Sequence, residues 1–93
     1  MDEKKIYRAA LDTFGKAAQM FVAVEEMAEL MKELSKNLRG ADNILGLVDE
    51  IADVEIMLGQ MKELFYCEAA VAFRKQGKLA RLEGLIKERR GQQ

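Results

Sequence analysis

The residues of this chain that are best suited to chemistry are carboxylates that stand among apolar residues in two segments. The first segment contains Glu25, Glu26 and Glu29, and the second contains Glu50 and Asp53. Each segment has two acids three residues apart, a spacing that in a helix puts both side chains on one face, about 5–6 Å apart at Cβ. Carboxylates this close can share a cation, and an all-oxygen set without histidine suits a hard ion such as Mg²⁺ or Mn²⁺.

Carboxylates that converge from two such segments repel one another. Two like charges 4 Å apart cost about 4 kcal/mol at an effective dielectric near 20. A cation, neighbouring lysines or a rise in pKa relieves that repulsion. Mg²⁺ held by carboxylates commonly completes its coordination with water and a substrate phosphate, so a metal site would indicate a phosphorylated substrate. A solvent-facing acidic stripe without a metal is the alternative interpretation.

The amino-acid composition excludes several other kinds of site. The 93 residues include no histidine and one cysteine, Cys67. Ser-His and Cys-His catalytic arrangements, Cys/His zinc sites and an internal disulfide are therefore excluded. A carboxylate-bridged di-iron bundle is disfavoured as well, because such sites use Glu-x-x-His motifs.

Two long helices must position the acids. Proline is absent, and the abundance of Ala, Leu, Met, Glu and Lys favours an all-α protein. Apolar residues spaced four and three apart predict a buried seam on each helix: Met20, Val24, Met27, Met31, Leu34 and Leu38 on one, and Ile44, Val48, Ile51, Val54, Leu58, Met61 and Phe65 on the other. The first helix should end near Gly40, and Asp42 or Asn43 should cap the second. The short connection makes them antiparallel, so the predicted fold is a helical bundle built on an antiparallel helical hairpin.

Shorter helices are expected on either side of this hairpin within a single domain of residues 1–93. Gly15 should separate a first helix from the hairpin, and a last helix should run from Glu68 to Arg89. Its predicted apolar positions are Val71, Leu79, Leu82 and Ile86. Because a chain of this size buries little surface alone and has apolar residues on two faces of its central helices, we expect a homodimer or homotetramer.

The charges are unevenly distributed along the chain. Residues 1–73 carry 8 basic and 14 acidic side chains, whereas residues 74–90 carry 7 basic and 2 acidic ones. The basic tail has no interleaved aromatic residues, so a nucleic-acid partner is not expected. The sequence has no apolar run long enough to span a membrane, and it does not begin like a secretory signal. These features predict a cytoplasmic protein without a membrane partner.

Two runs of sequence resemble a known family. Glu25-Glu26-Met27-Ala28-Glu29-Leu30 and Asp49-Glu50-Ile51-Ala52-Asp53-Val54, with Gln19, Lys36 and Arg39-Gly40 around them, resemble the signature of MazG-like all-α nucleoside triphosphate pyrophosphohydrolases. The likeness is to the small single-domain proteins of bacteria and phages. It covers residues 15–65 closely and residues 78–83 more weakly.

The resemblance implies Mg²⁺-dependent hydrolysis of a nucleoside triphosphate between its α and β phosphates, with Mn²⁺ as a substitute ion. It implies that Glu26, Glu29, Glu50 and Asp53 bind the metal. Because the chain lacks histidine, the candidate general base is Glu25 or a ligand carboxylate such as Glu26, unless metal hydroxide itself attacks. The candidates for holding phosphate are Lys32, Lys36, Arg39, Lys78 and Arg81, with Lys75 beside them. The alternative function is a non-catalytic helical module that binds a partner protein through its second apolar face.

Overall fold

Four α-helices make up most of the chain. The computed structural model describes residues 1–92, with α1 at Glu3–Phe14, α2 at Lys16–Leu38, α3 at Ile44–Leu64 and α4 at Glu68–Gly91. α1 is shorter than the hairpin helices, as predicted, but α4 has 24 residues against 23 in α2 and 21 in α3, so the prediction of a shorter last helix is wrong. These residues include no strand, which confirms the all-α prediction. Within the same residues, no helix combines the length and the apolar character needed to cross a membrane. The cytoplasmic location stays a prediction.

The helix ends follow from local sequence. Asp2 caps α1, since its carboxylate accepts a hydrogen bond from the backbone N–H of Lys5 at 2.8 Å. Gly15 and Gly40 both have φ of 97°, a conformation that side chains disfavour. At the end of α2 the N–H of Gly40 binds the carbonyl of Asn37, and the N–H of Ala41 binds that of Lys36, which together form a Schellman motif. Both predicted helix breaks are confirmed.

Residues 39–43 return the chain so that α2 and α3 pack antiparallel. The side-chain amide of Asn43 donates to the backbone carbonyl of Glu33 at 2.9 Å and to its carboxylate at 2.6 Å. Asn43 directly precedes α3 but makes no capping hydrogen bond with its side chain, so that part of the capping prediction is wrong. Gly46 leaves room for the Glu33 side chain, because an added Cβ would lie 3.0 Å from its Oε2. The side chain of Asn43 therefore joins the two helices instead of capping α3.

The predicted apolar seams are not the surfaces through which α2 and α3 pack within one chain. Gln19 and Ala23 are buried on α2, and Leu47 and Met57 are buried on α3. The seam residues that are exposed instead are Met20, Val24, Met27, Met31, Leu34 and Leu38 on α2, and Ile44, Val48, Ile51, Leu58 and Phe65 on α3. Periodicity identifies an apolar face but not which neighbour covers it. The prediction of buried seams inside the hairpin is wrong, and the acid-bearing faces meet there.

The outer helices attach to the hairpin unequally. α1 lies against α3, where Leu11 is buried and Arg8 Nε is 3.0 Å from Glu63 Oε2. The ring of Tyr7 packs against Gly59 so closely that a Cβ there would overlap it. In contrast, none of the described residues 68–91 of α4 is buried. Its predicted apolar positions, Val71, Leu79, Leu82 and Ile86, are all exposed.

Candidate metal centre

Three of the predicted acids meet between α2 and α3. Glu26 from α2 and Glu50 and Asp53 from α3 each offer a carboxylate oxygen, and these oxygens lie within 4.8 Å of one another. We call these three residues the acidic triad. The contact between Glu33 and Asn43 explains the register of α2 against α3. Glu26 lies seven residues before Glu33, and Glu50 lies seven residues after Asn43. Seven residues are two helical turns, so the same sides of the helices face each other again.

Within residues 1–92, no ion pair joins the triad to a basic side chain. Glu26 and Glu50 are half-buried and Asp53 is exposed. Burial, followed by the nearby carboxylates of Asp53 and Glu50, raises the pKa of Glu26 above its ordinary value. Glu50 Oε2 is buried and has no hydrogen-bond partner among the described residues. A buried oxygen without a donor carries a desolvation cost, which a proton or a cation would relieve.

The other two predicted acids lie outside the triad. Glu29 is exposed, and its Oε2 is 3.8 Å from Lys32 Nζ. It follows Glu26 by three residues, so its Cα lies on the same side of α2. The exposed ion pair with Lys32 is worth about 0–1 kcal/mol and does not hold Glu29 firmly. Glu25 is also exposed, and its Cα is turned by about 100° from that of Glu26.

The predicted phosphate-binding residues of α2 form local contacts along its last turns. Lys32 pairs with Glu29, and Lys36 Nζ is 3.4 Å from Glu33 Oε1. Arg39 donates from Nη1 to the hydroxyl of Ser35 at 2.9 Å. These basic groups are all exposed. Their chain positions place them between the triad and the loop that connects α2 to α3.

The basic candidates of α4 are not brought to the triad by ion pairs within the described chain. Lys78 and Arg81 line a shallow cleft on α4 together with Phe73. Lys75 lines a separate cleft near Tyr7. Any contribution from this helix to phosphate binding stays a prediction.

Two buried amides lie outside the triad on α2 and α3, and neither was predicted as a site residue. Gln19 and Gln60 are only 8% and 6% exposed, and Gln60 Oε1 has no partner among the described residues. Gln19 lies seven residues before Glu26, so it shares the contact side of α2. A glutamine on the acid-bearing face of an apolar helix is the sequence signal that could have identified Gln19 as a buried residue of this contact.

Comparison of the chain with protein-family models, curated proteins and solved structures found no match. The functional assignment therefore depends on the residues of the site and on their geometry.

Proposed function

We propose that this protein is a Mg²⁺-dependent nucleoside triphosphate pyrophosphohydrolase, which releases a nucleoside monophosphate and pyrophosphate. The observation that carries the proposal is the acidic triad, whose oxygens lie within 4.8 Å of one another. Lys32 and Lys36 on the same helix as Glu26 are paired with Glu29 and Glu33 instead. The MazG-like resemblance of the same residues supplies the reaction. A homodimer or homotetramer is part of the proposal.

The donor set fits a hard divalent ion. Carboxylate oxygens are the ligands that Mg²⁺ and Mn²⁺ prefer, and the unpartnered Glu50 Oε2 is an acceptor that needs a positive neighbour. Glu26, Glu50 and Asp53 would hold the ion, and Glu29 would join them by leaving its exposed pair with Lys32. When bound, the cation would supply positive charge to the triphosphate and acidify a bound water.

Other residues of the chain would handle protons and phosphate. No histidine is present, so Glu25 and Glu26 are the side chains that could accept the proton of the attacking water, unless the metal-bound water attacks as hydroxide. Lys32, Lys36 and Arg39 make exposed local contacts that cost little to break. They would then bind phosphate oxygens, and their positive charge would stabilise the negative charge of the transition state.

The proposal is tested by incubating the purified protein with a panel of ribo- and deoxyribonucleoside triphosphates and Mg²⁺, and by measuring pyrophosphate and monophosphate. We expect equal amounts of the two products from at least one triphosphate. Asp53→Asn should lower turnover more than about 100-fold, since even residues that only support metal ligands contribute 10–100-fold. Asp49→Asn is the matched control on the same helix and should retain turnover. Full activity of folded Asp53→Asn would disprove the ligand set.

The second candidate function is a non-catalytic interaction module. The observation that favours it is the exposed apolar surface of the hairpin, where Met31 is 65% and Val24 is 65% accessible. The two functions differ in their response to metal. Millimolar Mg²⁺ or Mn²⁺ should raise the Tm of a metal-dependent hydrolase by linkage, whereas an interaction module with solvated acids should show no such rise.

A further inference from the structure

A single chain exposes more surface than a folded monomer of its mass. The accessible area is 7527 Å², whereas a monomeric protein of 10.5 kDa exposes about 5,400 Å². The radius of gyration is 16.8 Å, compared with about 12 Å for a compact domain of this length. The excess of about 2,100 Å² matches what one subunit contributes to an obligate dimer interface, roughly 1,000–2,500 Å².

Part of this excess lies on one side of the hairpin. Exposed apolar residues on this side directly follow buried or half-buried residues in sequence: Met20 follows Gln19, Met27 follows Glu26, Ile51 follows Glu50 and Leu58 follows Met57. One residue turns a helix by about 100°. Because the helices are antiparallel, this turn leads to the same side of the hairpin on both. We call this side, formed by Met20, Val24, Met27, Met31, Leu34, Ile44, Val48, Ile51 and Leu58, the hairpin face.

The rest of the excess lies on α4. This helix contacts the chain near its start, where Lys4 Nζ is 2.9 Å from Glu68 Oε2 and Lys75 borders the cleft near Tyr7. Five exposed apolar residues of this helix form one stripe, which we call the α4 stripe: Val71, Leu79, Leu82, Leu85 and Ile86. Phe73 is also exposed but lies on the opposite side of the helix. Tertiary packing of an amphipathic face supplies most of a helix's stability in proteins. The α4 stripe therefore needs a covering surface.

The charges select which surfaces pair. Residues 16–64, which contain the hairpin, carry 5 basic and 10 acidic side chains, and residues 68–91 of α4 carry 7 basic and 3 acidic ones. Pairing α4 with α4 or hairpin with hairpin brings like net charges together, whereas pairing α4 with a hairpin brings opposite charges together.

We propose that two copies of this chain form a dimer in which α4 of each copy lies with its α4 stripe on the hairpin face of the other. This exchange covers both unpartnered apolar surfaces and joins opposite net charges. Pairing the hairpin faces with each other would leave the α4 stripe uncovered. The inference does not rest on the proposed hydrolase activity, because a dimer of this form is expected whether or not the triad binds metal.

The test uses cysteine crosslinking in a Cys67→Ser background. Leu82→Cys on one batch of chain is mixed, after unfolding and refolding together, with a tagged batch that carries Val24→Cys, Met31→Cys or Ile51→Cys. A short bismaleimide should link Leu82→Cys to a hairpin-face cysteine of the other batch in at least one mixture. Phe73→Cys is the control, because it lies two residues from Val71 and thus on the opposite side of α4, and it should not crosslink. Links only between two α4 cysteines, links only between two hairpin cysteines, or no links would overturn the proposal.

A second measurement follows the oligomeric state. The wild-type chain should sediment as a dimer, and Leu79→Glu with Leu82→Glu should weaken its association at least about tenfold. Phe73→Glu adds one negative charge to the opposite side and should leave the dimer intact. A wild-type chain that stays monomeric at 100 µM, or a dimer that is equally tight in the stripe variant, would contradict the exchange. If the stripe variant does not fold, the crosslinking result decides.

Discussion

Replacing Glu26 by glutamine should stabilise the metal-free protein and abolish its response to metal. Glu26 faces the carboxylates of Glu50 and Asp53, and their charge together with burial raises its pKa. Glutamine keeps the size of the side chain but removes the charge. The free energy of unfolding and the affinity for metal should therefore change in opposite directions.

The separation of the triad oxygens sets the magnitude of the effect. At 4.8 Å, two unit charges repel by about 3.5 kcal/mol at an effective dielectric of 20 and by about 0.9 kcal/mol in bulk water. Protonation limits the cost, since neutralising a carboxylate of ordinary pKa 4.5 at pH 7 costs about 3.4 kcal/mol. We expect Glu26→Gln to raise the free energy of unfolding by about 1–3 kcal/mol, which corresponds to roughly 5–20 °C in Tm.

The assay is thermal unfolding at pH 7, first with a chelator and then with Mg²⁺ or Mn²⁺. Metal at 100 times its Kd should stabilise the wild-type protein by about 2.7 kcal/mol, or roughly 10–20 °C, and should not shift Glu26→Gln. Glu55→Gln makes the same substitution at an exposed site outside the triad and should behave like wild type. The reasoning is refuted if Glu26→Gln lowers the Tm of the metal-free protein or retains the full metal shift.

Three further predictions concern the same helices. Because the pKa of Glu26 is raised on folding, the metal-free protein should gain stability as pH falls from 8 towards the unfolded pKa and lose it as pH rises through the folded pKa; Tm against pH should be flatter in Glu26→Gln. Gly59→Ala should lower the free energy of unfolding, measured with denaturant, by about 1–3 kcal/mol, because its Cβ would overlap the ring of Tyr7. Gly77→Ala is the control: it has open space around it and should leave the free energy of unfolding unchanged or raise it. Asn43→Ala should lower Tm by removing two hydrogen bonds to Glu33. Tm should also fall less steeply at acidic pH, since Asn43 is the main cause of the lowered pKa of Glu33. An unchanged dependence of Tm on acidic pH would contradict this role.

The helices and their ends could be predicted from the sequence because they depend on neighbours along the chain. Gly15 and Gly40 mark the breaks on both sides of α2 since glycine adopts positive φ at low cost. The end of α3 had no such signal. Tyr66 takes φ of 51° there, and the bonds from Tyr66 to Glu63 and from Cys67 to Lys62 close a second Schellman motif without glycine.

The candidate site could be predicted in part. The three-residue spacing of Glu50 and Asp53 places both on one side of a helix whatever the tertiary structure. That Glu26 joins them depends on the register between α2 and α3, which Asn43 sets through a contact ten residues away along the chain. Glu29 satisfies the same spacing from Glu26, yet its carboxylate faces Lys32, since a side-chain rotamer depends on the charges around it.

The sequence by itself determined that this chain is helical, where its helices break and which residues share a helical face, because these properties depend on backbone preference and on a fixed period of 3.6 residues. Only the tertiary structure decided that the acid-bearing faces meet inside the hairpin while the rows of methionine, valine and isoleucine remain exposed. An amphipathic helix with two apolar faces can bury either one, and the choice depends on the combined packing of all its neighbours rather than on its own pattern.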